Sequence, residues 1–244
     1  MTRFVILAAP RTGSNLLCSL LNSHSEILCH HELFNPQGIF TALDFEDHSI
    51  DGCSLQQRDR DPVLFLDRVW RIRQGHACIG FKWTRGQNEV LLSQVLEDAN
   101  VKKIVLRRRN RIKTYVSERI AQATQQWEVY REQELIMPRP RITVDRMDLL
   151  NHIEENSQFY QRLQPPEGRS DPPFVNVEYE QLLTSSEHKR LLRFLEVGNS
   201  EQPLTPASVK QNPTDLRQSV SNFEELAVAL EGSDLQSELH DTGI

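Results

Sequence analysis

The feature that most constrains this chain lies at its start. The run Phe4-Val-Ile-Leu-Ala-Ala9 is continuous and free of polar residues, as expected of a parallel strand buried on both faces. Pro10-Arg-Thr-Gly-Ser14 follows at once, and beyond it Leu16, Leu17, Leu20 and Leu21 recur at helical spacing with Ser14 placed as N-cap. A strand, a glycine-containing loop and a helix in succession make an anion cradle. The N–H groups of the loop and first helical turn lack backbone partners and point at whatever sits there. A Walker A loop, G-x-x-x-x-G-K-[ST], is excluded, because only Gly13 is present, with Arg11 before it. A tight turn holding no ligand is the alternative reading of this segment alone.

Further along, strands alternate with helices. Asp61-Pro62 opens a helix that should stop near Gly75, and Cys78-Ile-Gly-Phe-Lys-Trp83 reads as a short strand. A helix carrying Val90, Leu91, Val95 and Leu96 leads to the strand Lys103–Arg107 and a long helix from about Asn110. Pro165-Pro-Glu-Gly-Arg-Ser-Asp-Pro-Pro173 is a surface loop ahead of the strand Phe174–Val177, and Ser221-Asn-Phe-Glu224 reads as a capping box opening the last helix. The pattern predicts an α/β fold, a central parallel sheet with helices on both faces. At 244 residues the chain is expected to form one domain, 1–231, followed by a polar tail, 232–244.

The net charge of −6 argues against nucleic acid as a partner, since binding a phosphate backbone needs excess Lys and Arg. Yet Lys102, Lys103, Arg107, Arg108, Arg109, Arg111 and Lys113 crowd one stretch, which suggests a local anion site; a solvated helix face is the alternative. The four cysteines, Cys18, Cys29, Cys53 and Cys78, show neither zinc nor disulfide spacing. No apolar run is long enough for a signal sequence or a membrane span, so a cytoplasmic location is expected.

Three stretches offer chemistry. Arg109 and Ser117 stand eight positions apart across the start of the long helix, so a guanidinium and a hydroxyl can reach one phosphate. Lys82 comes near the end of its strand, on the edge where open α/β sheets bind ligands. His30-His-Glu32 ends a second strand, Ile27 to Cys29, and supplies three groups able to take a proton.

Together these stretches resemble the sulfotransferases that use 3′-phosphoadenosine 5′-phosphosulfate (PAPS). Their 5′-phosphosulfate loop has the form P-[KR]-[ST]-G-[ST], and their 3′-phosphate motif sets Arg and Ser eight residues apart. The likeness is greatest to the bacterial branch that includes trehalose and Nod-factor sulfotransferases, through Pro10–Cys18, Leu106–Asn110, Glu178-Tyr-Glu-Gln-Leu182 and Lys210-Gln-Asn-Pro213. Residues 37–77 match nothing in that family. The resemblance implies a P-loop-like sulfotransferase fold with Arg11, Thr12, Gly13, Ser14 and Asn15 around the 5′-phosphosulfate, Arg109 and Ser117 on the 3′-phosphate, and Lys210 and Gln211 in a closing C-terminal loop. The R-K-G sequence many members carry in that loop is missing here. Lys82 would contact the transferring group or the acceptor.

The implied activity moves a sulfuryl group from PAPS to a hydroxyl of a small-molecule or glycan acceptor, releasing adenosine 3′,5′-bisphosphate, with no metal needed; a homodimer is compatible with it. The context Glu32-Leu-Phe-Asn35 belongs to the glutamate branch of the family and favours Glu32 as base over His31. A free glutamate is a poor base for a sugar hydroxyl, so burial or the apolar Leu33 and Phe34 would need to raise the Glu32 pKa, whereas His31 has the better unperturbed value. A small-metabolite kinase and a non-catalytic nucleotide-binding module are the rival functions.

Overall fold

Side-chain alternation along the first strand sets the architecture. In β1 (Thr2–Ala8), Val5 and Leu7 enter one apolar cluster while Phe4, Ile6 and Ala8 enter another, so both faces of the strand are covered. The computed structural model describes residues 1–45, 50–72, 74–164, 173–198, 201 and 203–243. Within it β1 is the middle of a five-stranded parallel sheet of order β2-β3-β1-β4-β5, with β2 (Ile27–His30), β3 (Cys78–Thr84), β4 (Val101–Arg107) and β5 (Phe174–Glu178).

Helices cover both faces, as the alternating pattern predicts. On one side α1 (Ser14–Asn22) and α7 (Ser185–Leu195) pack Leu17, Leu20, Leu191 and Leu192 against Ile6, Ile104 and Val177. Opposite them, α3 (Pro62–Val69), α4 (Glu89–Glu97) and α6 (Arg146–Arg162) bring Phe65, Leu91 and Phe159 to Leu7, Phe81 and Val105. The short α2 (Leu55–Arg60) precedes α3 and anchors Arg58 on the carbonyls of Leu33, Asn35 and Gly38. A third cluster joins α5 (Arg111–Thr124), α8 (Phe223–Ala229) and α9 (Gln236–Leu239) through Tyr115, Val116, Phe223 and Leu239.

Several local expectations change. Gly13, not Ser14, is the N-cap of α1, at φ 95°. A Cβ there would also lie 2.3 Å from the Tyr179 ring. Asp61 caps α3 as expected, accepting from the Leu64 N–H at 3.0 Å, but the helix ends at Val69 instead of near Gly75. The Ser221 capping box does not form: the Ser221 hydroxyl pairs with Thr143, and the Asn222 side chain with the Val144 backbone. Residues 232–243 fold back onto the domain, burying Leu235 and Leu239 and pairing Glu238 with Arg111. Residues 165–172 of the proline-rich loop lie outside the described residues. Among the described residues no helix is long and apolar enough to cross a membrane.

Candidate functional site

The chain leaves β1 for β2 on one side of the sheet and later crosses β1 to reach β4 on the other. Such a reversal opens a crevice at the carboxyl ends of the strands, the usual ligand site of open α/β sheets. A cavity of about 880 Å³ occupies it. Of the residues singled out from the sequence, Arg11, Gly13, Ser14, Asn15, His31, Glu32, Lys82, Ser117, Lys210 and Gln211 line the cavity, whereas Thr12 and Arg109 do not.

The loop after β1 is held in a conformation that needs support. Arg11 has φ 62° and Gly13 φ 95°, and a left-handed arginine is strained unless its surroundings fix it. Those surroundings are present. The Arg11 guanidinium donates to the Ser117 hydroxyl at 3.0 Å, to Gln211 Oε1 at 3.0 Å and to the Trp127 carbonyl. The Thr12 hydroxyl is spent on the Ala9 carbonyl at 2.7 Å, so only its backbone faces a ligand. The Asn212 amide donates to the Ser117 hydroxyl at 2.9 Å, and Arg139 donates to Asn212 and Gln211. The C-terminal loop is thereby latched to the loop after β1 and to α5.

Positive charge is concentrated here. Arg11, Lys82, Arg108, Lys113 and Lys210 all line the cavity. Among the described residues Arg11, Arg108 and Lys210 have no carboxylate within ion-pair distance. Burial, then the charges of Arg108 and Arg139, push Arg11 down to about 10. Burial also lowers Arg108, and burial followed by Arg108 and Lys113 lowers Lys210. Buried cations without a direct carboxylate partner favour an anionic occupant.

Arg108 was not singled out for the phosphate motif, and its neighbour was. The Arg108 guanidinium stacks on the Tyr179 ring, 4.6 Å from its centroid, and its buried Nε has no partner. Arg109 instead pairs with Glu178, its side chain 63% exposed. Strand parity explains the difference: Ile104 and Leu106 face α1, so Arg108 continues toward the loop, while Val105 and Arg107 face the other side, Arg107 lying over Tyr160. The rest of the basic run is dispersed. Lys102 pairs with Glu196, Lys103 lies over Phe174 and Arg111 pairs with Asp234 and Glu238. Only Arg108 and Lys113 of that run reach the cavity.

On the opposite wall Glu32 meets Lys82. The Lys82 ammonium lies 2.9 Å from Glu32 Oε1 and also donates to Asn15 Oδ1, just past the loop after β1. Glu32 Oε2 accepts from Gln87 at 2.6 Å, Asn35 at 2.7 Å and Thr84 at 3.3 Å. Burial alone would raise the carboxyl, but the Lys82 charge and the bonds from Lys82, Asn35 and Thr84 outweigh it and hold the pKa below its ordinary value. The upward shift that a strong base would need is therefore absent in the empty site. Leu33 and Phe34 turn into the core, where Phe34 stacks on Trp83 at 4.7 Å, so they do not surround the carboxylate.

His31 is buried beside Glu32 and also lines the cavity. Its Nε2 is 3.3 Å from the Tyr130 hydroxyl and its Nδ1 3.5 Å from Glu128. Burial, then the Lys82 charge, bring its pKa down to about 3. Thr84 and Glu128 carry no local motif, and only the fold brings them to the cavity, with Gln87, Tyr130 and Arg139 bonded to residues that line it.

The fold has known counterparts. A sulfotransferase from Alicyclobacillus acidocaldarius aligns over 98% of this chain and 98% of its own, with TM-score 0.51 and 18% identity. The sulfotransferase domain from the curacin biosynthetic pathway aligns over 98% of this chain and 94% of its own, at TM-score 0.48 and 17% identity. Mouse sulfotransferase SULT7A1, solved as a complex with PAP, covers 100% of this chain with 76% of its own, at TM-score 0.42 and 12% identity. No family model and no curated protein matches the sequence. The architecture, a single α/β domain on a five-stranded parallel sheet, is the sulfotransferase fold.

Proposed function

We propose that this chain is a sulfotransferase that moves a sulfuryl group from PAPS to an acceptor hydroxyl and releases adenosine 3′,5′-bisphosphate. One observation carries the reading: a single ammonium, Lys82, links the carboxylate Glu32 to Asn15 of the anion loop inside a cavity also lined by Arg11, Arg108 and Lys210, which have no ion-pair partner among the described residues. Base, bridging cation and anion cradle are the three parts that in-line group transfer to a hydroxyl requires.

The roles follow from position. The N–H groups of residues 11–15 and the Arg11 guanidinium receive the 5′-phosphosulfate end of the donor. Ser117 and Arg108, with Lys113 and Lys210 beside them, receive its 3′-phosphate; Arg109 joins them only by leaving Glu178. The donor supplies the sulfuryl group, and the chain aligns it, neutralises its charge and removes the acceptor proton. That proton goes to Glu32, while the bond between sulfur and the bridging phosphate oxygen breaks and the bisphosphate carries the charge away. A carboxylate held low by Lys82 is a weak base in the empty site. As Lys82 turns from Glu32 toward the incoming sulfonate, Glu32 loses its main stabilising charge and its basicity rises.

Small-molecule and glycan hydroxyls are the acceptor class this arrangement serves. The test is calorimetric titration with adenosine 3′,5′-bisphosphate, AMP and ATP. Contacts to a charged phosphate are worth about 2–5 kcal/mol, so the bisphosphate should bind at least about 30-fold more tightly than AMP. Equal affinity for the two, or a preference for ATP with magnesium, rejects the donor assignment.

A further inference from the structure

Glu32 is asymmetrically held. Its Oε2 receives three donors, Gln87 Nε2 at 2.6 Å, Asn35 Nδ2 at 2.7 Å and Thr84 Oγ1 at 3.3 Å, while Oε1 meets only Lys82 at 2.9 Å. A carboxylate offers about two lone-pair directions per oxygen, so Oε2 is saturated and Oε1 alone has capacity left. Gln87 is the closest of these donors, and it does not line the cavity.

Gln87 is itself fixed. It lies in the turn between β3 and α4, only 3% exposed. Its carbonyl accepts the Trp83 indole N–H at 2.9 Å, its backbone N–H donates to the Thr84 carbonyl at 3.3 Å, and its amide nitrogen also reaches Thr84 Oγ1 at 2.7 Å. Its buried Oε1 has no partner. Turning the amide would set that oxygen, an acceptor, against Glu32 Oε2. Here the amide presents nitrogen to the carboxylate and leaves its own oxygen unsatisfied, an orientation that favours ionised Glu32.

We infer that Gln87 is a positioning residue for the transfer reaction, which clamps Glu32 Oε2 from behind the cavity so that Oε1, beside Lys82, is the atom that takes the acceptor proton. The inference rests on Glu32 being the base. The clamp also bears on protonation, since a donor to the charged form disfavours the neutral one. The other charged and titratable groups around Glu32 are Lys82 from β3, His31 beside it, and Glu128 and Tyr130, which face His31 from the loop after α5.

The test is Gln87→Met, which keeps the shape and removes the donor, with Gln87→Glu as an isosteric second variant; the Trp83 bond, made to the backbone carbonyl, is kept in both. Gln87→Met should lower kcat about 10–100-fold with bisphosphate affinity unchanged, and move the acidic limb of the kcat profile about one unit to higher pH. In the nucleotide-free protein the carboxyl carbon resonance of Glu32, followed by NMR, should titrate at correspondingly higher pH. Gln87→Glu, with a second carboxylate against Oε2, should move both further in the same direction. An acidic limb and a carboxyl titration unchanged in both variants overturn the inference, leaving Gln87 a packing residue. Glu32→Gln separates the two levels. If it is inactive while the Gln87 variants titrate as wild type, only the clamp fails; if it turns over normally, the base assignment fails and the clamp with it.

Discussion

Acid should unfold this protein earlier than its carboxylates require, because two adjacent histidines are buried neutral. His30 is fully buried, its Nδ1 accepts the Ala42 N–H at 3.1 Å, and its ring meets Phe45 edge-on at 4.8 Å. Burial, then the neighbouring His31 and His76, hold its pKa down to about 3, and His31 is held equally low. In the unfolded chain both titrate near 6.5. Below that pH the unfolded state binds protons the folded state refuses, so the stability present above 6.5 is lost as pH falls toward 3. At 1.36 kcal/mol per unit, each histidine removes about 2 kcal/mol between pH 7 and pH 5, and the pair about 4 kcal/mol. His30→Asn isolates one of them, since its Oδ1 can accept the Ala42 N–H in place of Nδ1 and it does not titrate. Urea unfolding at pH 7, 6 and 5, with m-values compared, should show the loss shrink by about 2 kcal/mol in the variant, whatever constant offset the substitution adds. An identical pH dependence in both proteins would refute the argument.

Arg108→Ala should lose more of the preference for adenosine 3′,5′-bisphosphate over AMP than Arg109→Ala does, by about 2 kcal/mol or more in calorimetry, because Arg109 is spent on Glu178. Glu32→Gln should lower kcat by about two to four orders of magnitude with bisphosphate affinity intact, whereas His31→Asn should spare most of the turnover. Gly13→Ala should lower the melting temperature and abolish nucleotide binding together. A left-handed alanine costs about 1–2 kcal/mol, and its Cβ would displace the Tyr179 ring on which Arg108 stacks.

The sheet and its helices were legible because they rest on local periodicity. The unbroken run from Phe4 to Ala9 reads as a strand covered on both faces, and it is one. The turn after β1 was legible for the same reason, a strand, a glycine and a helix in sequence. What the sequence hid depends on long-range pairing. The basic run from Lys102 to Lys113 looked like one site, yet Glu196, Glu178, Asp234 and Glu238, all remote in the chain, claim three of its members, Lys102, Arg109 and Arg111. Which arginine turns inward was decided by strand parity carried one residue past β4, a distinction that motif spacing does not encode. The sign of the Glu32 shift was hidden too: its sequence neighbours are apolar, but its spatial neighbours are Lys82, Asn35, Thr84 and Gln87. The caps at Ser14 and Ser221 failed because Gly13 has the positive φ the turn needs and Thr143 takes the Ser221 hydroxyl.

Sulfuryl transfer itself is the claim on which the rest depends, and radiolabelled PAPS tests it most directly. The protein is incubated with the donor and a panel of sugar, lipid and phenolic hydroxyl acceptors, and both labelled product and adenosine 3′,5′-bisphosphate are quantified, with Glu32→Gln run alongside. The account predicts that label enters at least one acceptor in amounts equal to the bisphosphate released, and that Glu32→Gln binds the donor without transferring it. Tight bisphosphate binding with no labelled product from any acceptor, or turnover of ATP in place of PAPS, would contradict it.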